Sequence, residues 1–474
     1  MAVVILLIAI VWAPVILHEV GRRRFAVLMV WLFLAPFSTL ALKAAFGGGG
    51  SLVVVGGPTH EEPSGYLGDE ASVSLRELLE PTRLLFAAYM LLLLNGYIWR
   101  QRRWVPLDRT EVYMVLFAGV LLASVVISSN RLLFGLRMAT DAFIVPFMGY
   151  FIARRVMTRE DQLNRYTHVV GYVGCLVILA CLVERLTHGE LLYRLKGPFE
   201  SSQGLGTLMA VFFFVTLAVQ QTKAGFATNG MSCLRLSHIF VLSLSPLVVF
   251  LTWSRGNWLG FIGGVVMFLM LRHRIVHVRK QVFMLGVLLL SLSVLVVVFE
   301  WFHTTRAFEA RVANVSNVYA RIGAWQIAVE ESLEKPVFGI GLNNLRDVLA
   351  DRRFVYQDVK NEGTSHNSFL SLLGELGIAG LTLYLGVVWS LFKLGVALNR
   401  EVGSLTARCW GLAVIAILIT YMLPALFANT LYLVDPSHAY LYVLMGAIAG
   451  VYRRPMSRSF GERSSYCLTQ SAVA

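Results

Sequence analysis

Thirteen apolar runs recur along the chain, at about residues 2–19, 25–46, 82–99, 111–128, 133–153, 166–184, 204–221, 236–252, 257–272, 281–300, 367–392, 406–427 and 435–452. A helix rises roughly 1.5 Å per residue, so most runs match the ~30 Å hydrocarbon layer of a bilayer. Inside that layer every backbone amide must be bonded within the protein, which predicts helices rather than open sheet. The composition agrees, because 57% hydrophobic and 15% charged residues with a mean hydropathy of +0.67 leave too little polar material to clothe a soluble globule. The expected architecture is all-α: a polytopic helical bundle of twelve or thirteen spans, one integral membrane domain over 1–474, with a large, partly helical external loop.

Charge orients the bundle. Arg22–Arg24, Arg100 with Arg102 and Arg103, Arg154, Arg155 and Arg159, Lys223 with Arg235, Arg272 through Lys280, Lys393 with Arg400, and Arg453 with Arg454 fall on one side when the spans are threaded in order. Basic residues collect on the cytoplasmic side, so the formal net charge of +13 reflects topology, and membrane lipids rather than nucleic acid are the expected partners. Segment 2–19 lacks a basic leader and a small-residue cleavage site and reads as a retained span that starts outside. Three substantial connections, 47–81, 185–203 and 301–366, reach the opposite face, and their mixed charge marks that face for chemistry or recognition. Five scattered cysteines have no ligand spacing, so neither a metal site nor a disulfide framework is expected.

Several polar clusters interrupt this pattern. Thr252-Trp253-Ser254-Arg255-Gly256-Asn257-Trp258 sets an arginine between two apolar runs. A cation there is costly unless it faces water or an anion, which suggests a membrane enzyme acting on a phosphorylated lipid; a loop arginine that snorkels is the alternative. The glycines of the first external loop, Gly47 to Gly50, lack a nucleotide-loop signature and read as a linker or flexible cover.

In the largest external segment, Ala307 to Glu331 favours helix and carries Arg311 and Arg321, and Pro336 then interrupts. Phe338 to Asn344 reads as a tight turn feeding a short helix from Leu345 to Leu349, its glycines suited to close backbone approach, with amides near an anionic substrate as a further option. His366 stands at the start of a long span, where an imidazole can exchange a proton near neutral pH or merely take part in a cap through Ser365 or Asn367. Glu375 follows about two and a half turns later, among Gly374, Gly377 and Gly380, which permit close helix packing.

In order, Thr252-Trp253-Ser254-Arg255-Gly256, Arg321-Ile322-Gly323-Ala324-Trp325, Pro336-Val337-Phe338-Gly339-Ile340-Gly341 and Ser365-His366-Asn367-Ser368-Phe369-Leu370, ahead of Glu375-Leu376-Gly377, resemble the O-antigen ligase and polymerase superfamily over roughly 190–380. The resemblance implies a glycosyltransferase of the bacterial inner membrane with its site facing the periplasm. It implies an undecaprenyl-pyrophosphate-linked glycan as donor, a lipid A-core or glycan acceptor, and no cofactor. It also implies catalytic roles for His366, Arg255 and Arg321. Arg194 or Lys196, ahead of Gly197-Pro198-Phe199, corresponds to the family's upstream basic residue, although Glu200-Ser201-Ser202-Gln203 replaces the usual asparagine-rich continuation. Arg311 and Ser254 join them as candidates for holding pyrophosphate or glycan, with Asn367 and Glu375 in support. Arginines can neutralise the leaving pyrophosphate in bidentate fashion, and the histidine can take the acceptor's proton.

No carboxylate pair with glycosidase geometry is legible. A ligase is the leading expectation, because the large external segment can form an acceptor-facing ledge. A repeat-unit polymerase, a protein O-oligosaccharyltransferase and a lipid-linked glycan flippase stay open beside it.

Overall fold

The computed structural model describes residues 24–34, 106–128, 132–188, 194–199, 201–221, 233–272, 316–352, 365–401, 403–432 and 437–452. Among them the chain is all-α, with no strand: α1 (Arg24–Leu34), α2 (Arg109–Ser128), α3 (Leu132–Ala139), a π turn (Thr140–Ile144), α4 (Val145–Val156), α5 (Glu160–His188), α6 (Ser202–Gln221), α7 (Cys233–Leu251), α8 (Arg255–Arg272), α9 (Ser316–Glu334), α10 (Leu345–Asp351), α11 (Ser368–Asn399), α12 (Leu405–Ala425), a 3-10 turn (Thr430–Tyr432) and α13 (437–452).

Six helical stretches among the described residues are long and apolar enough to cross a membrane: Arg109–Ile127, Gly135–Val156, Glu160–Thr187, Ser202–Gln221, Ser368–Asn399 and Leu405–Ala425. The chain is a multi-pass membrane bundle, as the apolar runs predict. The runs at 2–19, 82–99 and 281–300 and the loop 47–81 lie outside the described residues. The second external connection is shorter than 185–203, because α5 continues through His188 and α6 starts at Ser202. Lys393 belongs to α11 and not to a loop, since that helix runs on to Asn399.

Helix ends pair in two sets, which gives the up-and-down alternation that the basic clusters predict. At one end Asp108 and Glu111 cap α2 reciprocally: the Glu111 amide donates to Asp108 Oδ1 at 2.8 Å and the Asp108 amide to Glu111 Oε2 at 3.0 Å. Arg154 and Arg155 at the end of α4 both pair with Glu111, Arg154 at 2.6 Å, and the Tyr150 hydroxyl donates to Asp108 at 2.9 Å. A buried ion cluster of this kind is tolerable because every charge has several partners. Ser390 of α11 donates to Thr110, and Arg272 of α8 to Gln221 of α6, at the same end. At the other end the Leu342 amide donates to Ser124, Asn257 to the start of α6, and Ser368 to Ala428.

The longest helix is not continuous. Gly377 adopts φ 64 and ψ −167, so Ile378 and Ala379 cannot donate to Gly374 and Glu375 as an unbroken helix requires. The segment Pro336–Gly341 supplies the missing partners. Ile378 and Ala379 donate to the carbonyls of Pro336 and Val337 at 2.8 and 3.1 Å, while Ile340 and Gly341 donate to those of Gly374 and Glu375, both at 2.9 Å. A bare amide or carbonyl in hydrocarbon costs several kcal/mol, so these four bonds decide that the break is stable.

The approach requires glycine on both sides. A Cβ on Gly339 would lie 2.4 Å from the Glu375 carbonyl carbon, and one on Gly377 would lie 2.3 Å from the Val337 oxygen. Gly377→Ala and Gly339→Ala are each expected to cost about 2 kcal/mol or more, read as a lower thermal midpoint of the purified protein. Gly119→Ala, at a helical position with nothing within 4 Å, is the control, expected to gain about 0.5–1 kcal/mol.

Candidate functional site

The upstream basic residues and Arg255 are built into one corner. The Leu195 amide donates to the carbonyl of Leu251 at 3.2 Å, so Arg194 and Lys196, both exposed, run beside the end of α7. Glu184 of α5 secures the turn by accepting from the amides of Lys196 at 3.3 Å and Gly197 at 2.6 Å. Gly197 has φ +58 and an added Cβ would sit 2.8 Å from Cys181 Sγ, which accounts for the glycine. Ser201 then caps α6, its hydroxyl accepting from Gln203 and Gly204. The serine-rich continuation therefore performs the start of a helix in its own way.

At Arg255 the chain turns sharply between α7 and α8. Trp253 takes φ +52, Phe250 stacks on Trp258 at 4.7 Å, and Trp258 Nε1 donates to the Phe250 carbonyl at 3.0 Å. Ser254 Oγ accepts from the Asn257 amide at the start of α8, and Arg255 is the first helical residue and is exposed. Asn257 reaches across to the carbonyls of Ser202 and Gln203 at 3.4 and 3.1 Å, tying the start of α8 to the start of α6.

His366 is held from three directions. Trp325 of α9 donates through Nε1 to the Ser365 carbonyl at 2.7 Å. Ser365 Oγ lies 2.6 Å from Ser371 Oγ and accepts from the Asn367 amide, and Asn367 Oδ1 accepts from Phe369 and Leu370 at 3.0 and 3.1 Å. Asn367 is thus the N-cap of α11, and His366 precedes it with φ +48, a conformation that costs a non-glycine residue on the order of 1 kcal/mol. Capping is therefore not the work of the His366 side chain. Arg321 stands one helical turn before Trp325, where i and i+4 residues share a face, and its buried Nε makes no hydrogen bond to the described residues.

The end of α12 joins the two corners. Gly256 packs on Pro424, and Gly260 lies against the Thr420 carbonyl. Four residues further on, Ala428 accepts from Ser368 at 2.9 Å, and the Ser368 hydroxyl accepts from Leu431 at 3.2 Å. Four residues span at most ~14 Å, so the starts of α8 and α11 converge on one short stretch of chain. Three helix N-termini, those of α6, α8 and α11, lie at this end, where the macrodipole adds partial positive charge to that of the arginines.

One expectation is corrected. The amides of Ile340 and Gly341 do not await an anion, because both are consumed by the break in α11. Glu375 enters the bundle and is buried beside Asn343, Leu345 and Tyr432, and its Oε2 makes no hydrogen bond to the described residues. Arg311 lies outside the described residues, as does the first part of the helix expected from Ala307; α9 is described from Ser316 to Glu334. Trp325 and Asn257 stood within the motifs without an assigned role. Their partners are backbone carbonyls distant in sequence, and no local pattern announces such bonds.

Residues 239–385 match the family model described as O-antigen ligase. Through this segment the chain is similar to the O-antigen ligase family. The match contains Arg255, Arg321, His366 and the break at Gly377, while Arg194 and Lys196 lie before it. A protein of Rickettsia conorii (strain ATCC VR-613 / Malish 7), provisionally named a polysaccharide ligase, is 23% identical over 323 residues, which is 65% of this chain and 74% of the relative.

The strained backbone at His366 makes a stability test available. His366→Asn, a residue that tolerates the left-handed region, is expected to melt at or above the parent temperature. Asn367→Ala is expected to lose about 1 kcal/mol, and Asn367→Asp to recover most of it. Strong destabilisation by His366→Asn would show that the imidazole is held for structure.

Proposed function

We propose that this protein transfers a glycan from undecaprenyl pyrophosphate to a lipid A-core acceptor at the periplasmic face of the inner membrane. The observation that carries the reading is the gathering of Arg255 and the Arg194–Lys196 turn with the His366 loop and its neighbour Arg321 at one end of the bundle, around the end of α12. That end lies opposite the helix ends bearing Arg154, Arg155, Arg272 and Arg400, which the basic-residue asymmetry assigns to the cytoplasm.

The chemistry needs few parts. An acceptor hydroxyl attacks the anomeric carbon of the donor, the bond from that carbon to the pyrophosphate oxygen breaks, and the electron pair leaves with the pyrophosphate. Arg255 and Arg321 neutralise the charge that grows on the leaving oxygens, with Arg194 and Lys196 adding to the potential. His366 orients the attacking hydroxyl and takes its proton. One displacement inverts the anomeric configuration. The ledge of α9 and α10, fastened by the break in α11 and by Trp325, frames the acceptor side.

Purified protein in lipid, given a polyprenyl-pyrophosphate glycan together with lipid A-core, is expected to form covalent lipid A-core product. Arg255→Ala and Arg321→Ala are expected to lower the single-turnover rate by roughly 10²-fold or more with near-parent melting, and lysine to restore only part of it. Extension of a second lipid-linked repeat in preference to lipid A-core would make the protein a polymerase. Glycosylation of a supplied polypeptide in place of lipid A-core would make it a protein oligosaccharyltransferase. Unchanged donor appearing on the other leaflet would overturn the transferase reading.

A further inference from the structure

The outward side of the ledge is apolar where a solvent-facing loop would be polar. On α9 Ile322, Val329 and Leu333 recur at seven- and four-residue spacing on one exposed face, while Ala324, Ile327 and Ala328 are buried on the opposite face against Ile340, Leu345 and Leu349. The ridge continues through Val337, Phe338 and Ile378, which are 51%, 64% and 50% exposed. Val337 and Phe338 are fixed beside Ile378 by the hydrogen bonds that fill the break in α11. Six exposed aliphatic and aromatic side chains in one contiguous ridge are more than scattered surface residues.

The depth of that ridge follows from α11 itself. Near its far end Trp389 is exposed and stacks on Phe392, and Lys393 Nζ lies 5.2 Å from the Trp389 ring. An exposed tryptophan with a lysine reaching past it marks a membrane–water boundary. From Lys393 back to Gly377 is sixteen residues, about 24 Å of helix against a hydrocarbon layer of ~30 Å. Ile378, Val337 and Phe338 therefore stand roughly 6 Å inside the opposite boundary, at the outer edge of the hydrocarbon, and the ridge on α9 runs on from the lipid-facing side of α11, which carries Leu385 and Trp389.

We infer that the ridge of Ile322, Val329, Leu333, Val337, Phe338 and Ile378 is a membrane-docking surface that seats α9 and the 336–338 loop in the acyl boundary of the leaflet opposite the basic helix ends. Phe338 is its wedge. The occupant is bilayer lipid, because the face is continuous with the lipid-facing side of α11 and lies at the depth where that side ends. Charged Glu330 and Glu334 flank the ridge toward water, as an interfacial helix requires. Seating the ledge at this depth would hold Arg321 level with the headgroups, where a lipid-linked pyrophosphate travels; that consequence alone rests on the proposed function.

The test reads lipid contact directly and involves no transfer. The full chain, with its native cysteines replaced, carries Phe338→Cys, Leu333→Cys or Glu334→Cys labelled with an environment-sensitive nitrobenzoxadiazole dye, in nanodiscs of phosphatidylethanolamine and phosphatidylglycerol. At 338 and 333 the dye is expected to emit to the blue of its position at 334, to be quenched several-fold less by iodide, and to be quenched strongly by lipids doxyl-labelled near the headgroup end of the acyl chain. Equal iodide quenching at all three sites would overturn the inference by placing the ridge in water. Protection from both quenchers would also overturn it, since protein, from this chain or a second copy, would then cover the ridge.

Discussion

At Gly377 the helix α11 gives up two of its own hydrogen bonds, and the turn of Pro336–Gly341 replaces them with four to a distant part of the chain. In water such a break would be a local matter, because solvent could satisfy the freed groups. In a bilayer it needs a protein partner, so the break and the loop require each other. The loop lies between α9 and α10, and both are thereby fastened to the bundle. Trp325 can reach the Ser365 carbonyl only because α9 is held there.

Electrostatics follows from this packing. The starts of α6, α8 and α11 point to the same end, and the links from Asn257 to α6 and from Ser368 to the stretch after α12 keep them together. Their dipoles, Arg255, Arg194 and Lys196 add positive charge at this end, beside the Glu184 carboxylate that secures the Lys196–Gly197 turn. Beside this field His366 is held in a backbone conformation that its residue type disfavours, with Asn367 relieving it of any capping duty. Trp253 and Asn343 share that left-handed backbone, so the strain at His366 marks a residue to test and names no reaction.

The membrane class and the alternating directions of the helices were legible in the sequence, because apolar run length and basic-residue placement are properties that a bilayer itself enforces. The order of the polar motifs pointed to the family, and Ser365-His366-Asn367 announced a helix start. The helix break was not legible. Gly374, Gly377 and Gly380 read as aids to helix packing, and the glycines of Phe338–Asn344 as places of close backbone approach with amides for an anion as an option; Gly339 and Gly377 do approach closely, and each admits the other's backbone. Both readings rest on glycine's lack of a side chain, and only the pairing of segments nearly forty residues apart tells them apart. The boundaries of α5 and α11 were missed for a simpler reason: the polar first turn Glu160–Asn164 carries α5 beyond its apolar run, and α11 continues past Lys393 through Leu394–Leu398 to Asn399. Asn257, whose bonds are to carbonyls of α6, gave no local signal.

The central claim is that two corners of the chain, one at Arg255 and one at Arg321 and His366, serve a single lipid-linked pyrophosphate. Photocross-linking measures this most directly, with a polyprenyl pyrophosphate that carries a diazirine beside the phosphates and with the modified peptides read by mass spectrometry. The account predicts that the probe labels both 251–258 and 316–325 and that excess unmodified lipid-linked glycan competes both away. Labelling confined to the opposite end of the bundle, around 154–160, or to one corner with the other untouched, would contradict it.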